Sequence, residues 1–307
     1  MRDEPIRTDR ERQLAGWPKA RLVVLDEGGR TPVDWGDVRR PRDRWDMISG
    51  SGARLLTRPT TGDEPPEEAV LLGEHEGIAY WAVRGDVDLV AGEDPTDWAD
   101  LRTVGAALDA LGAGLLTGAV AVLNWHAASR FCTRDGSPMH PRNAGWHRVC
   151  EQEGHEEYPR TDPAVICLVH DGADRVLLAR QPVWPEGRYS VLAGFVEAGE
   201  SLEACVLREI HEEVGVRVRD VSYLGSQAWP FPRSLMVGFS AVADPDDPLV
   251  PAVGEIAEAM WVTRAELRAA LGEGDWGARP KADAPPLLLP GKVSIARSML
   301  ESWAALD

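Results

Sequence analysis

Positive charge is scarce in this chain of 307 residues: 33 Lys and Arg stand against 50 Asp and Glu, a formal net charge of −17. Broad nucleic-acid binding needs a basic footprint, so it is disfavoured. A polyanionic substrate would have to be gathered by metal ions and local arginines rather than by the global field. Cysteine is also scarce. Four cysteines in a chain of this length do not make a disulfide framework and point to free thiols or a metal. The opening residues MRDEPIRTDRER are charged and lack the apolar segment of a secretory signal, so a cytoplasmic protein is expected. The longest apolar stretch, Val104–Trp125, contains Asp109, Asn124 and four glycines. It reads as paired soluble helices around Gly112–Gly114 rather than a membrane span. There is no internal repeat strong enough to identify.

What is present is concentrated in residues 194–216, GFVEAGESLEACVLREIHEEVGV. Ser201 is a good N-cap, no proline interrupts the run to Val214, and Gly215 follows as a helix stop. Leu202, Val206, Ile210 and Val214 make an apolar stripe to pack on a sheet. At about 100° per residue, Glu209 and Glu213 share one edge of that stripe, with Glu212 a step further round. Three carboxylates so close repel one another, and divalent cations would remove that cost. Oxygen-only donors favour Mg²⁺ or Mn²⁺ over Zn²⁺. Arg208, four residues before Glu212, can pair with it and orient the acid. Gly194 is read as a tight turn between a strand, Tyr189–Ala193, and the loop before the helix. A salt-bridged surface helix is the competing reading, but it does not explain why the glycines and the arginine fall in register with the acids. The positions Gly194, Glu200, Arg208, Glu209, Ile210, Glu212, Glu213, Gly215 and Val216 resemble the signature of the Nudix hydrolases throughout. That resemblance implies metal-dependent cleavage of a diphosphate joined to a nucleoside.

The chain divides by pattern into residues 1–125, an N-terminal α/β domain; 126–160, a connector with Cys, His, Gly and Pro; and 161–307, the hydrolase domain. Strands are expected at Arg21–Leu25, Ala69–Leu72 and Ile78–Val83, separated by the polar loop Thr57–Glu68. From Asp162 onward, Ala164–Val169 and Arg175–Ala179 read as a hairpin. Further strands are expected at Val221–Ser226, Leu235–Ala243 and Glu255–Trp261. Helices are expected at Arg264–Leu271 and Val293–Ala305, with an irregular loop to Pro290 between them. The fold class expected is α/β (α+β): a Nudix α/β/α sandwich with a mixed sheet, preceded by a separate α/β domain and a short zinc-ribbon-like connector.

A second motif, SQAWPFPRS at Ser226–Ser234, places two prolines around Phe231 and suggests a stiff, extended loop. Trp229 and Phe231 offer aromatic faces, Gln227 and Ser234 hydrogen bonds, and Arg233 a charge; a plain covering loop is the bland alternative. Beside the acidic run, the segment resembles the S-Q-P-W-P-F-P-x-S signature of the NADH pyrophosphatase (NAD diphosphatase) family of Nudix hydrolases. WHAASRFC (Trp125–Cys132), GWHRVC (Gly145–Cys150), YPRTDPAVI (Tyr158–Ile166) and SVLAGFVE (Ser190–Glu197) are similar to landmarks of the same family.

The resemblance implies hydrolysis of NADH or NAD⁺ to nicotinamide mononucleotide and AMP, removal of NAD caps from RNA 5′ ends, and a homodimer. It implies metal ligands at the Ala193 carbonyl and at Glu209, Glu213 and Glu255, with Glu258 the nearest rival of Glu255 and Glu212 an auxiliary acid. By the same resemblance, substrate contacts fall on Tyr158, on Gln227, Ala228, Trp229, Pro230, Phe231, Pro232, Arg233 and Ser234, and on Ala296. Phe195 is either a base-stacking face or a core aromatic. Ala228 stands where the family signature has proline. The family's paired C-x2-C motifs read here as Cys132 with Asp135 and Cys150 with Glu153. Carboxylates can ligate zinc, and His140, His147 or His155 could substitute. A metal-free connector with two buried thiols is the simpler reading. Cys167 and Cys205 read as small core residues, and His170 and His211 as surface or structural residues. Two other functions stay open: a Nudix hydrolase for another nucleoside diphosphate such as ADP-ribose, and a non-catalytic nucleotide sensor.

Overall fold

A computed structural model describes residues 3–38, 52–85, 97–277 and 287–306. The described residues form two compact units. The first takes the described residues up to Thr161 together with Pro230–Arg233; the second takes Asp162–Trp229 and the described residues from Ser234 on.

In the first unit, Arg21–Leu25 pairs in parallel with Ile78–Arg84, which is antiparallel to Val70–His75. The sheet buries Leu22, Val24, Leu71 and Trp81, with Trp17 set edge-on to Trp81 at 5.7 Å between ring centroids. The apolar stretch beyond residue 104 does not break at its glycines. Asp100 caps the short helix Leu101–Val104, and Asp109 caps a single helix, Ala110–Ala128. Gly112 and Gly114 therefore lie inside one helix, because the Asp109 carboxylate captures the Gly112 N–H at 2.6 Å and sets the start before them. By length and composition this helix could cross a membrane, yet Leu115, Leu116, Val120, Val122, Leu123 and Trp125 are buried within the unit. The unit ends in a three-stranded antiparallel ribbon made by Met139–Arg142, His147–Cys150 and Glu156–Glu157.

The second unit is a mixed sheet between helices. Its strands are β1 (Asp162–His170), β2 (Arg175–Arg180), β3 (Leu192–Phe195), β4 (Val218–Trp229), β5 (Ser234–Ala243) and β6 (Glu258–Thr263). Its helices are α1 (Leu202–Val214), α2 (Arg264–Glu273) and α3 (Ile295–Ala304). The strand order is β4-β5-β1-β2-β6, with β3 paired to β1. β1 and β5 run parallel, and the remaining pairs are antiparallel. Strand β1 is apolar without alternation because both of its faces are covered. Val165, Cys167 and Val169 join Val206, Ile210 and Val214 of α1, whereas Ile166 and Leu168 join Leu267 of α2 and Met299, Leu300 and Trp303 of α3. This is the expected α/β/α sandwich.

Three expectations need correction at their edges. The hairpin of β1 and β2 is joined only at His170–Val176, and the main partner of β2 is β6. Strand β6 begins at Glu258, so Glu255 lies in the preceding turn. Ser226–Ser234 is no extended loop: residues 226–229 finish β4, Ser234 starts β5, and Pro230–Arg233 make the turn of the hairpin. Part of the expected loop before Pro290 lies outside the described residues.

Candidate active site

Helix α1 carries the acids. The Ser201 hydroxyl accepts the Ala204 N–H at 3.2 Å, and Gly215 ends the helix at φ 80°, returning its N–H to the His211 carbonyl at 2.9 Å. The apolar side of the helix packs on the sheet, and Glu213, beside it, is drawn into the boundary and left 7% exposed. Its Oε2 is buried with no hydrogen-bond partner. Burial first, then the charges of Glu209 and Glu255, push the Glu213 carboxyl up to about 8, against a backbone hydrogen bond at Ala193. The Glu209 carboxyl is raised too, chiefly by burial, with Glu212 and Glu255 adding to it and Arg208 opposing.

Glu255 reaches these acids by backbone hydrogen bonding. The N–H groups of Val250 and Ala252 donate to the carbonyls of Val214 and Glu213, each at 2.8 Å, pinning the 250–256 turn to the end of α1. Glu258 is engaged elsewhere: it accepts the Tyr189 hydroxyl at 2.6 Å and lies 3.8 Å from Arg180. Glu255 and not its rival therefore faces the box acids.

Arg208 is a hub rather than a single partner of Glu212. It donates to Glu200 from Nε and Nη2 at 2.8 Å each, to Glu209 and Glu212 from Nη1 at 2.9 Å each, and to the Phe195 carbonyl at 3.0 Å. This fork holds the Glu200 carboxyl down to about 2. Gly194 is not a turn. It sits inside β3, opposite Val165 of β1, and a Cβ there would lie 1.8 Å from the Glu209 carboxylate carbon. The glycine lets the Glu209 carboxylate rest against the strand. Among the described residues these acids do not bring three ligand atoms within 4.8 Å of one another, as like charges would not. A buried oxygen without a partner, two raised carboxyls and an all-oxygen donor set fit a hard divalent cation.

The expected substrate residues behave unequally. Phe195 is 59% exposed, which rules out the core reading. Gln227 is committed within the fold: its Nε2 donates to the Val293 carbonyl and its Oε1 accepts the Ile295 N–H, both at 2.8 Å. It therefore clamps the start of α3, a role with no signal in the motif. Ser234 and Ala296 are buried, Trp229 and Phe231 half-buried, and Ala228, Pro232 and Arg233 exposed, with Pro230 buried. Tyr158 belongs to the first unit, where it is exposed, donates to Glu156 and tilts on His147 at 5.4 Å. Of the cysteines, Cys167 and Cys205 are core residues at 1% and 0% exposure. Cys132 and Cys150 are buried in the ribbon, Asp135 lies 3.4 Å from the Cys150 sulphur, and Glu153 is exposed.

The profile of the NUDIX domain matches residues 160–282, that of the NADH pyrophosphatase zinc ribbon domain 127–158, and that of the NADH pyrophosphatase-like rudimentary NUDIX domain 22–125. Over 308 aligned residues the chain is 52% identical to the NAD-capped RNA hydrolase NudC of Mycobacterium tuberculosis, covering 100% of this chain and 93% of that one. The chain belongs to the NADH pyrophosphatase family of Nudix hydrolases. It is also 41% identical to the mitochondrial NAD(P)H pyrophosphatase NUDT13 of Mus musculus over 198 residues, 64% of this chain and 56% of that one. A solved NUDIX hydrolase from Nitrosomonas europaea matches with a TM-score of 0.38 at 22% identity, covering 45% of this chain and 79% of that one. As a family member the chain is a hydrolase, and its rudimentary NUDIX segment corresponds to the first α/β region.

Proposed function

We propose that this hydrolase cleaves the diphosphate of NADH and NAD⁺ to nicotinamide mononucleotide and AMP, and removes NAD caps from RNA 5′ ends. The observation that carries the reading is Glu213, buried beside Glu209 and Glu255 with an unpartnered oxygen, in a chain similar along its whole length to an NAD-capped RNA hydrolase. The working division is residues 1–125 as the N-terminal domain, 126–160 as the ribbon and 161–307 as the catalytic domain.

The Ala193 carbonyl and the carboxylates of Glu209, Glu213 and Glu255 would hold Mg²⁺ or Mn²⁺. When bound, such ions offset the diphosphate charge and lower the pKa of water. Arg208 fixes Glu209 and Glu212 in place from one side, and Gly194 leaves room for Glu209 on the other. One box carboxylate accepts the proton of the attacking water, and a mononucleotide leaves. Trp229 and the exposed Phe195 supply aromatic faces for the dinucleotide, with the backbone at Ala296 as a further contact. A homodimer is proposed from the family resemblance, and a cytoplasmic location fits four unpaired, buried thiols.

Mass spectrometry of the products from NADH with Mg²⁺ or Mn²⁺ tests the reading. Equal amounts of reduced nicotinamide mononucleotide and AMP are expected. Intact NADH beside cleaved ADP-ribose would overturn it.

A further inference from the structure

The first unit holds a cleft of about 430 Å³, inside the range of about 300–1,000 Å³ in which small ligands bind. Arg7, Arg10 and Gln13 reach it from the N-terminal helices, Trp81 from the strand Ile78–Arg84, and Pro141 and Arg142 from the ribbon. The cleft is graded from floor to rim. Trp81, Gln13 and Pro141 are buried, whereas Arg10 and Arg142 are exposed. A largely apolar floor with a few convergent polar groups suits a flat ligand held in one orientation.

The floor has an unmet hydrogen bond. Trp81 is 2% exposed, and its Nε1 has no partner among the described residues. Trp17, set edge-on to it, differs: its Nε1 donates to the Thr61 carbonyl at 3.2 Å. An indole N–H can only donate, so the missing group is an acceptor, and burying the donor without one is costly. The rim sets the charge of the ligand. The guanidiniums of Arg7, Arg10 and Arg142 face the carboxylates of Glu64 and Glu67, a local excess of positive charge in a chain of −17. Arg7 is stacked over the Trp146 ring, 3.7 Å from its centroid, which fixes the guanidinium plane. Arg10 pairs with Glu64, and Arg142 Nη1 lies 3.8 Å from Glu67, with both acidic side chains 66% exposed. Exposed pairs of this kind contribute little, and a phosphate that accepts from arginine bidentately outcompetes them.

One wall is held rigid at a cost. Asn143, Ala144 and Gly145 follow one another at φ 49°, 51° and 87°, a left-handed run that strains the two residues bearing a Cβ. The Leu71 N–H donates to the Ala144 carbonyl at 2.9 Å, and Trp146 Nε1 donates to the Leu71 carbonyl at 2.6 Å. A Cβ on Gly145 would come within 2.8 Å of Val70 Cγ2. Strain kept in place by its surroundings in this way clusters at ligand clamps.

We propose that this cleft is a second, non-catalytic site that binds a mononucleotide. Arg10 and Arg142 take its phosphate at the rim, and the Trp81 indole N–H meets an acceptor on its base at the floor.

The test uses the full chain in buffer free of divalent cations, so that the acids of α1 hold no phosphate through metal. AMP should bind by calorimetry, and adenosine and inorganic phosphate should each bind at least about tenfold more weakly, as each lacks half of the contacts. The indole N–H resonance of Trp81, identified by its absence in Trp81→Phe, should shift on addition of AMP. Arg10→Gln with Arg142→Gln, both on the surface, should weaken AMP binding at least about tenfold with an unchanged melting temperature. Glu213→Gln should bind AMP as the unaltered protein does. No AMP binding, phosphate binding as tightly as AMP, an unmoved Trp81 resonance, or loss in Glu213→Gln with retention in the arginine variant would each overturn the assignment. Displacement of AMP by a short uncapped RNA at a lower concentration than unlabelled AMP would overturn it too, in favour of an RNA-backbone contact. AMP is also a proposed product, yet no readout involves turnover, so this site and the proposed hydrolysis fail separately.

Discussion

A carboxylate kept 7% exposed, with one oxygen lacking a partner, destabilises a fold unless a cation arrives to meet it. Glu213→Gln should keep the fold but lower NADH turnover by at least about a hundredfold, as loss of a charge-stabilising group does; near-normal hydrolysis by the folded variant would sink the active-site assignment. The same residue gives a pH signature. Its carboxyl is raised from 4.5 to about 8, so the folded state holds the proton more tightly than the unfolded chain. Its contribution is fully present below the ordinary carboxylate pKa and is lost as pH rises through the folded value. Without divalent cations, the melting temperature should fall between about pH 5 and pH 8 more steeply in the unaltered protein than in Glu213→Gln; equal slopes would remove Glu213 as the source. The clustering of the acids is legible in the sequence, because helical spacing alone puts Glu209 and Glu213 on one edge. The close approach that makes Gly194 necessary is not, because it depends on β3 lying under α1. The fourfold grip of Arg208 on Glu200, Glu209, Glu212 and the Phe195 carbonyl likewise needs tertiary packing, and only its i,i+4 part has a local signal.

At the scale of elements, the helices and central strands were readable because capping residues and apolar periodicity are local. The helix capped by Ser201 and stopped by Gly215 is the plainest case. The prolines of Ser226–Ser234 suggest a stiff, extended loop, whereas the strand ladder that makes the segment a hairpin depends on pairing with no local signal. Two roles now separate along it. Trp229→Ala should raise KM for NADH more than for smaller diphosphates, and equal effects on both would remove its recognition role. Gln227→Ala should act on stability instead. It strips two hydrogen bonds from the start of α3, a loss of about 1–3 kcal/mol, or a melting temperature several degrees lower. An unchanged melting temperature with a raised KM would instead make Gln227 a substrate ligand.

For the whole molecule, a net charge of −17 opposes a capped RNA at long range far more than it opposes a dinucleotide. Rising monovalent salt screens that repulsion, with a Debye length shrinking from about 30 Å at 0.01 M to about 10 Å at 0.1 M. Turnover of NAD-capped RNA at low concentration should therefore rise relative to NADH over that range. A fall in the ratio would reveal a basic track for the RNA body that overrides the net charge.

The central ladder also sets an order of events during synthesis. Asp162 of β1 pairs with Ser234 of β5, and the register runs on to His170 with Val242. The ribosome must therefore finish β5 before β1 has its parallel neighbour, although α1 has emerged well before. In that interval an amphipathic helix and an apolar strand are both exposed, and contacts distant in sequence close slowly. A released chain ending just after Gly215 should bind holdase chaperones and resist refolding; one ending past Ala243 should bind them less, and only the chain that includes α2 and α3 should escape them.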